Sequence, residues 1–76
     1  MRNSYSQSKK LIAIVAKAER TRLGLSQEAF ADACGIDRTY ASQIERGIAN
    51  PSLEVLCRIA DALEISVTDL LGKHPS

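Results

Sequence analysis

Residues 27–46 read QEAFADACGIDRTYASQIER, and this stretch predicts two short helices joined by a tight turn. Counted from Gln27, Ala31 is the fifth residue and Gly35 is the ninth. A small residue at Ala31 lets the second helix cross the first at close range, and Gly35 can adopt the positive φ that reverses the chain. Five apolar positions are expected to hold the two helices against the rest of the domain: Phe30, Cys34, Ile36, Ala41 and Ile44.

The spacing of these seven positions is that of a helix-turn-helix motif, and the second helix of this motif has one polar face. Because successive helical residues are rotated by about 100°, five hydrogen-bonding side chains share this face: Arg38, Thr39, Ser42, Gln43 and Arg46. Arginine can bind O6 and N7 of guanine with two hydrogen bonds, and glutamine can do the same with adenine. The face is therefore predicted to read base edges of DNA, and the alternative is an ordinary solvated polar face.

Capping residues and glycines extend the pattern along the chain and predict an all-α domain of five short helices with no strand. The expected helices cover residues 9–23, 27–34, 38–46, 53–63 and a short segment ending near 71. Their N-caps are predicted at Ser8, Ser26, Asp37, Ser52 and Ser66, the last with the Ser66–Asp69 spacing of a capping box. Residues 1–8 are expected to form a flexible arm, 9–71 the domain and 72–76 a tail.

Charge and composition favour a polyanionic partner. The formal net charge is only +1, but residues 1–23 carry a net +5 and residues 48–76 a net −2. A basic face of this kind suits nucleic acid better than a membrane surface. The longest apolar run, residues 11–16, is too short to cross a bilayer, and the first residues lack the apolar stretch of a secretion signal. We therefore expect a cytoplasmic protein.

Metal binding and catalysis are not predicted. Cys34 and Cys57 are far apart, and the only histidine is His74, so we expect two reduced core thiols, no metal site and no cofactor. The sequence has no nucleophile elbow, no glycine-rich phosphate loop and no carboxylate pair framed by a pocket, which argues against an enzyme.

Three segments carry a resemblance to a known family. Residues 25–28 (LSQE), 38–47 (RTYASQIERG) and 50–53 (NPSL) resemble the Xre family, the Cro and phage-repressor type of helix-turn-helix protein. The opening Arg38-Thr39-Tyr40 is similar to the short controller proteins of restriction–modification operons. The resemblance implies a compact five-helix, phage-repressor-like DNA-binding domain, bacterial or phage-encoded, that regulates transcription by binding specific sequences. A protein-interaction module that keeps the fold and an antitoxin-type repressor are the alternatives.

The resemblance also implies roles for individual residues. The matched base-reading positions are Arg38, Thr39, Ser42 and Gln43. The matched phosphate-contacting positions are Gln27, which can also brace a base-reading side chain, together with Arg46 and Asn50. Tyr40 either reaches a phosphate or packs in the domain. Arg20 and Glu45 match an ion pair that ties the first helix to the third, and we expect its role to be structural.

A homodimer on a palindromic operator is expected, because one recognition helix reads too few base pairs to single out an operator. Two copies related by a two-fold axis would read half-sites about 34 Å apart. Apolar residues of the last two helices are available as the interface: Val55, Ile59, Ile65, Val67 and Leu70. The alternative is that all of these are buried within one chain. Glu19, Val55, Cys57 and Glu64 depart from the residues usual in the family, which affects this surface more than the DNA-facing one.

Overall fold

The computed structural model describes residues 5–72 and contains five helices. They are α1 (Tyr5–Arg22), α2 (Gln27–Cys34), α3 (Arg38–Glu45), α4 (Leu53–Leu63) and α5 (Val67–Leu70). No strand occurs within the described residues, so the all-α prediction is confirmed. None of these five helices is both long and apolar enough to cross a membrane.

The start of α1 differs from the prediction. The helix begins at Tyr5 and continues through Ser8, so Ser8 is not its N-cap and residues 5–8 are not part of an arm. Serine caps a helix only where the chain before it leaves the helical conformation. Residues 5–8 contain neither proline nor glycine to enforce that change. Residues 1–4 and 73–76, which hold the rest of the expected arm, most of the tail and His74, lie outside the described residues.

The other four predicted N-caps are confirmed. The side chains of Ser26, Asp37, Ser52 and Ser66 each accept a hydrogen bond from a backbone N–H two or three residues further on, at 3.0 to 3.2 Å. The Ser66 N–H also donates to the Asp69 carboxylate at 3.3 Å, which completes the capping box. Each cap stabilises its helix by about 1 kcal/mol. This matters because α2, α3 and α5 are too short to be stable in isolation.

The turn between α2 and α3 is the one the sequence predicts. Gly35 has φ +69° and follows Cys34, and the Ile36 N–H donates to the Ala31 carbonyl at 3.0 Å. Ala31 and Ala41 are buried where α2 and α3 pack together. The turn and the two alanines fix the angle at which α3 leaves α2.

The core lies between all five helices and corrects two sets of expectations. Ile59 and Leu70 were expected at a dimer interface, but both are completely buried in the core, where α4 packs against α1, α2 and α5 and α5 packs against α1 and α4. Cys34 is buried as predicted, and this burial raises the pKa of its thiol to about 11. Cys57 is exposed because it lies outside the inward face of α4, so the prediction of a core thiol there is wrong.

Glu64 ends α4 in a conformation that its side chain disfavours. It is the C-cap of the helix with φ +61°, the only described residue other than glycine with a positive φ. The left-handed region places Cβ too close to the following carbonyl, which costs about 1–2 kcal/mol. The Glu64 and Ile65 N–H groups nevertheless donate to the carbonyls of Asp61 and Ala60, which satisfies the end of the helix.

Replacing Glu64 by glycine is therefore expected to stabilise the domain. Glu64→Gly should raise the free energy of unfolding by about 0.5–1 kcal/mol, because glycine adopts this φ without a steric penalty. Urea denaturation followed by circular dichroism measures the change. Glu64→Ala is the matched control, which keeps Cβ and should change the stability by less than about 0.5 kcal/mol. A loss of stability in Glu64→Gly would contradict this account of the α4 terminus.

Candidate nucleic-acid interface

Helix α3 presents its polar side chains in two rows. Arg38, Ser42 and Glu45 form one row with i, i+4, i+7 spacing, and Thr39, Gln43 and Arg46 form the other. Arg38, Thr39 and Arg46 are exposed, and Ser42 and Gln43 are half-buried. The structure thus brings all four sequence-predicted base-reading residues onto one outward side of the domain. Their contact with bases remains a prediction.

The opposite face of α3 holds the helix in place. Ala41 and Ile44 are buried in the core, and Tyr40 is half-buried and packs against it. This supports the packing role of Tyr40, one of the two roles left open by the sequence. Its contact with a phosphate remains a prediction.

An ion pair whose side chains are largely shielded from solvent connects α3 to α1. Arg20 Nε donates to Glu45 Oε2 at 2.5 Å and Arg20 Nη2 donates to Glu45 Oε1 at 3.1 Å, while Arg20 Nη1 donates to the Leu25 carbonyl at 2.7 Å. The Glu45 side chain is only 3% exposed and that of Arg20 14%. Two parallel hydrogen bonds fix the relative orientation of the two groups more tightly than a single contact could. The pair that the resemblance implied is present in this form.

Gln27, the first residue of α2, joins this network. Its Nε2 donates to Glu45 Oε1 at 3.2 Å. Gln27 also lines a concavity of about 210 Å³ together with Arg38, Thr39 and Ser42. Sequence reasoning placed Gln27 at the interface but missed its bond to Glu45. The sequence signal for this bond was that Glu45 lies on the same row of α3 as Arg38 and Ser42.

The segment after α3 is folded back onto the end of the helix. The N–H groups of Ile48 and Ala49 both donate to the Gln43 carbonyl, at 3.0 and 3.2 Å, and Ala49 is buried. Arg46 and Asn50, the predicted phosphate-contacting residues of this segment, are both exposed beside that anchor. A fixed backbone here gives these two side chains defined starting positions.

The outward side of α3 carries two arginines that have no acidic partner in the described part of the chain. Arg38 and Arg46 form no ion pair within residues 5–72, whereas the one acidic side chain of α3, Glu45, is buried and neutralised by Arg20. Exposed, unpaired guanidinium groups are suited to phosphates and to guanine edges. Residues 5–72 contain no cluster of side chains that could hold a metal ion.

Known proteins share both this sequence pattern and this fold. A family model described as helix-turn-helix matches residues 17–70. The chain is 40% identical over 57 residues to the control protein C.BamHI of Bacillus amyloliquefaciens, covering 75% of this chain and 70% of that protein. Several other relatives, including the transcriptional repressor RstR of Vibrio cholerae and the regulator SlrR of Bacillus subtilis, are longer, and the chain spans less than half of their length.

Two solved structures superpose over most of the chain. The hypothetical transcription factor NHTF from Neisseria has a TM-score of 0.83 at 34% identity, covering 90% of this chain and 76% of that chain. The restriction-modification controller protein C.AhdI from Aeromonas hydrophila has a TM-score of 0.78 at 37% identity, covering 82% of this chain and 94% of that chain.

The buried pair makes a prediction about stability. Glu45→Ala should lower the free energy of unfolding by about 3 kcal/mol, because it leaves the Arg20 guanidinium buried without its counter-ion. The double variant Arg20→Met/Glu45→Leu removes both charges and should change it by about 1 kcal/mol or less. Urea denaturation at low temperature measures both values. Equal losses in the two variants would show that the orphaned charge is not what destabilises Glu45→Ala.

Proposed function

The chain belongs to the helix-turn-helix family of transcriptional regulators, and from that membership we propose that it acts as a homodimer on a palindromic DNA operator. The family consists of DNA-binding regulators rather than enzymes, and the chain is close to the restriction–modification controller proteins. The observation that carries the proposal is the outward side of α3, on which Arg38 and Thr39 are exposed, Gln43 is half-buried and Arg38 has no ion-pair partner among the described residues.

The arrangement supports a division between base-reading and phosphate-binding side chains. Helix α3 is the element that enters the major groove, and Arg38 at its first turn binds a guanine through O6 and N7. Thr39 and Ser42 allow close approach of the helix, and Gln43 reaches a base one turn further on. Arg46 and Asn50 bind phosphates on one side of α3 and Gln27 binds a phosphate on the other, where the positive end of α2 adds to the attraction.

The dimer rests on the apolar residues that one chain leaves partly uncovered. Of the five expected interface residues, Val55, Ile65 and Val67 are half-buried and therefore retain surface for a partner. Leu71, which follows α5, is 41% exposed and extends this surface. A two-fold axis through this region would present two α3 helices to successive turns of DNA, which supplies the specificity one helix lacks.

A controller-type regulator is the form of this function that we propose. Its support is the identity to a control protein over most of the chain and the superposition on a restriction-modification controller protein at 37% identity. Selection of bound sequences from a random DNA pool, followed by footprinting, identifies the operator. A two-fold symmetric consensus supports the proposal, whereas an asymmetric site or no enrichment contradicts it.

Arg38 and Arg46 should separate specificity from general affinity. Arg38→Ala should cost about 1–3 kcal/mol of binding to the selected operator and relax base preference at one position of each half-site. Arg46→Ala should weaken binding to all sequences alike and reduce the salt slope by about 0.9 for each phosphate that Arg46 neutralises. Fluorescence anisotropy over a series of salt concentrations and single-base operator variants measures both effects. If Arg38→Ala retained the wild-type base preference, the base-reading assignment would be wrong.

The half-buried apolar surface predicts the oligomeric state. Sedimentation equilibrium of the wild type should give twice the 8.3 kDa mass of one chain. Ile65→Glu places a charge in the proposed interface and should shift the protein to a monomer with much weaker operator binding. Asp61→Lys, an exposed change on α4, is the control for altered charge nearby. A wild type that stays monomeric at high micromolar concentration with operator present contradicts the dimer.

A further inference from the structure

Glu45 lies too deep in the domain to contact DNA. Its side chain is 3% exposed, and both of its oxygens already accept hydrogen bonds, Oε2 from Arg20 Nε and Oε1 from Arg20 Nη2 and Gln27 Nε2. It is nevertheless the last residue of the row that begins with Arg38. Any effect of Glu45 on DNA reading therefore has to pass through a neighbour.

Gln27 is the neighbour that connects Glu45 to the outward side of α3. Its amide nitrogen is bound to Glu45, and the residue lines the concavity that also contains Arg38, Thr39 and Ser42. Among the described residues, no hydrogen bond ends on Gln27 Oε1. The amide nitrogen of Gln27 is thus hydrogen-bonded to Glu45, whereas its carbonyl oxygen has no hydrogen-bond partner among the described residues.

The carboxylate decides which way the Gln27 amide faces. A carboxylate oxygen only accepts hydrogen bonds, so the amide atom beside Glu45 Oε1 has to be the nitrogen. The carbonyl oxygen then occupies the other branch of the planar amide. Arg38, in the same concavity, carries a guanidinium that only donates. An acceptor fixed in the concavity that Arg38 also lines complements a donor-only group, whereas a flipped amide would present N–H groups there.

We propose that Glu45 is a positioning residue for DNA recognition: by fixing the Gln27 amide, it presents Gln27 Oε1 to Arg38 and so holds that arginine in its base-reading position. This inference rests on the proposed function, since it concerns how the same surface chooses bases. Arg20 contributes by holding the carboxylate in place through its two hydrogen bonds. The base preference of Arg38 therefore depends on a buried group on the far side of Gln27.

A double-mutant cycle on base preference tests this coupling. Gln27→Ala is made in the wild type and in Arg20→Met/Glu45→Leu, which removes the pair without leaving a buried charge. The readout is the dissociation constant for the operator changed at the Arg38-dependent base divided by the dissociation constant for the selected operator. In the wild type, Gln27→Ala should reduce this ratio by about fivefold, and in the pair-less background it should reduce it no further. An equal reduction in both backgrounds overturns the proposal.

The control variant is Thr39→Ala, because Thr39 lines the same concavity while its side chain takes no part in the Arg20–Glu45–Gln27 network. Its effect on the ratio should be the same in both backgrounds. A ratio near one for the wild type itself would count against the proposed function, whereas a large ratio with additive effects counts only against the coupling.

A second pair of variants leaves the buried pair intact in case the pair-less protein does not fold. Gln27→Glu keeps the size of the side chain and an acceptor oxygen, but it replaces the donating nitrogen with a second oxygen. The resulting carboxylate is repelled by that of Glu45. Gln27→Met keeps the length and removes both polar atoms. Both should show the reduced ratio of Gln27→Ala, with helical content unchanged by circular dichroism. A wild-type ratio in Gln27→Glu overturns the proposal, because a role that needs only an acceptor at this position does not need Glu45.

Discussion

The placement of α3 depends on one constraint: the carboxylate at the end of this helix is buried and has to be neutralised. Arg20 meets this need with two hydrogen bonds and donates a third to the Leu25 carbonyl. A single guanidinium therefore connects α1, the segment between α1 and α2, and α3. Removing one charge alone leaves the other unpaired in a low-dielectric environment. This lowers the free energy of unfolding far more than replacing both residues with apolar ones. The orientation of α3 relative to α1 is set by this requirement and not by apolar packing alone.

The two helices of the helix-turn-helix motif are short and derive their stability from capping and from the core. Helices α2 and α3 have eight residues each, below the length at which an isolated helix is stable in water. Ser26 and Asp37 satisfy their first turns, and Phe30 and Ile44 bury their inner sides in the core. Because few apolar residues make up that core, each has a large share in holding α3 in place. Recognition and stability are thus closely linked in a domain of this size.

Local chemistry accounts for what the sequence predicted well. The caps at Ser26, Asp37, Ser52 and Ser66 and the turn at Gly35 depend on residues close in the chain, so their spacing was enough. The errors concern packing between distant helices. Ile59 and Leu70 are buried because other helices pack on α4 and α5, and no pattern within these two helices shows which of their sides the others cover. The exposure of Cys57 likewise depends on where those helices lie. The Gln27–Glu45 bond spans two helices and depends on rotamers that spacing alone does not define.

The outward row of Thr39, Gln43 and Arg46 affects how the sequences of such regulators can change during evolution. These side chains take no part in the core or in the buried ion pair, so their replacement leaves the fold almost unaffected. Under the proposed function, changes at Thr39 and Gln43 alter the target sequence of a duplicated copy while Arg46 and the scaffold stay constant. Several such regulators can then act in one cell on different operators, because they differ in a few exposed side chains.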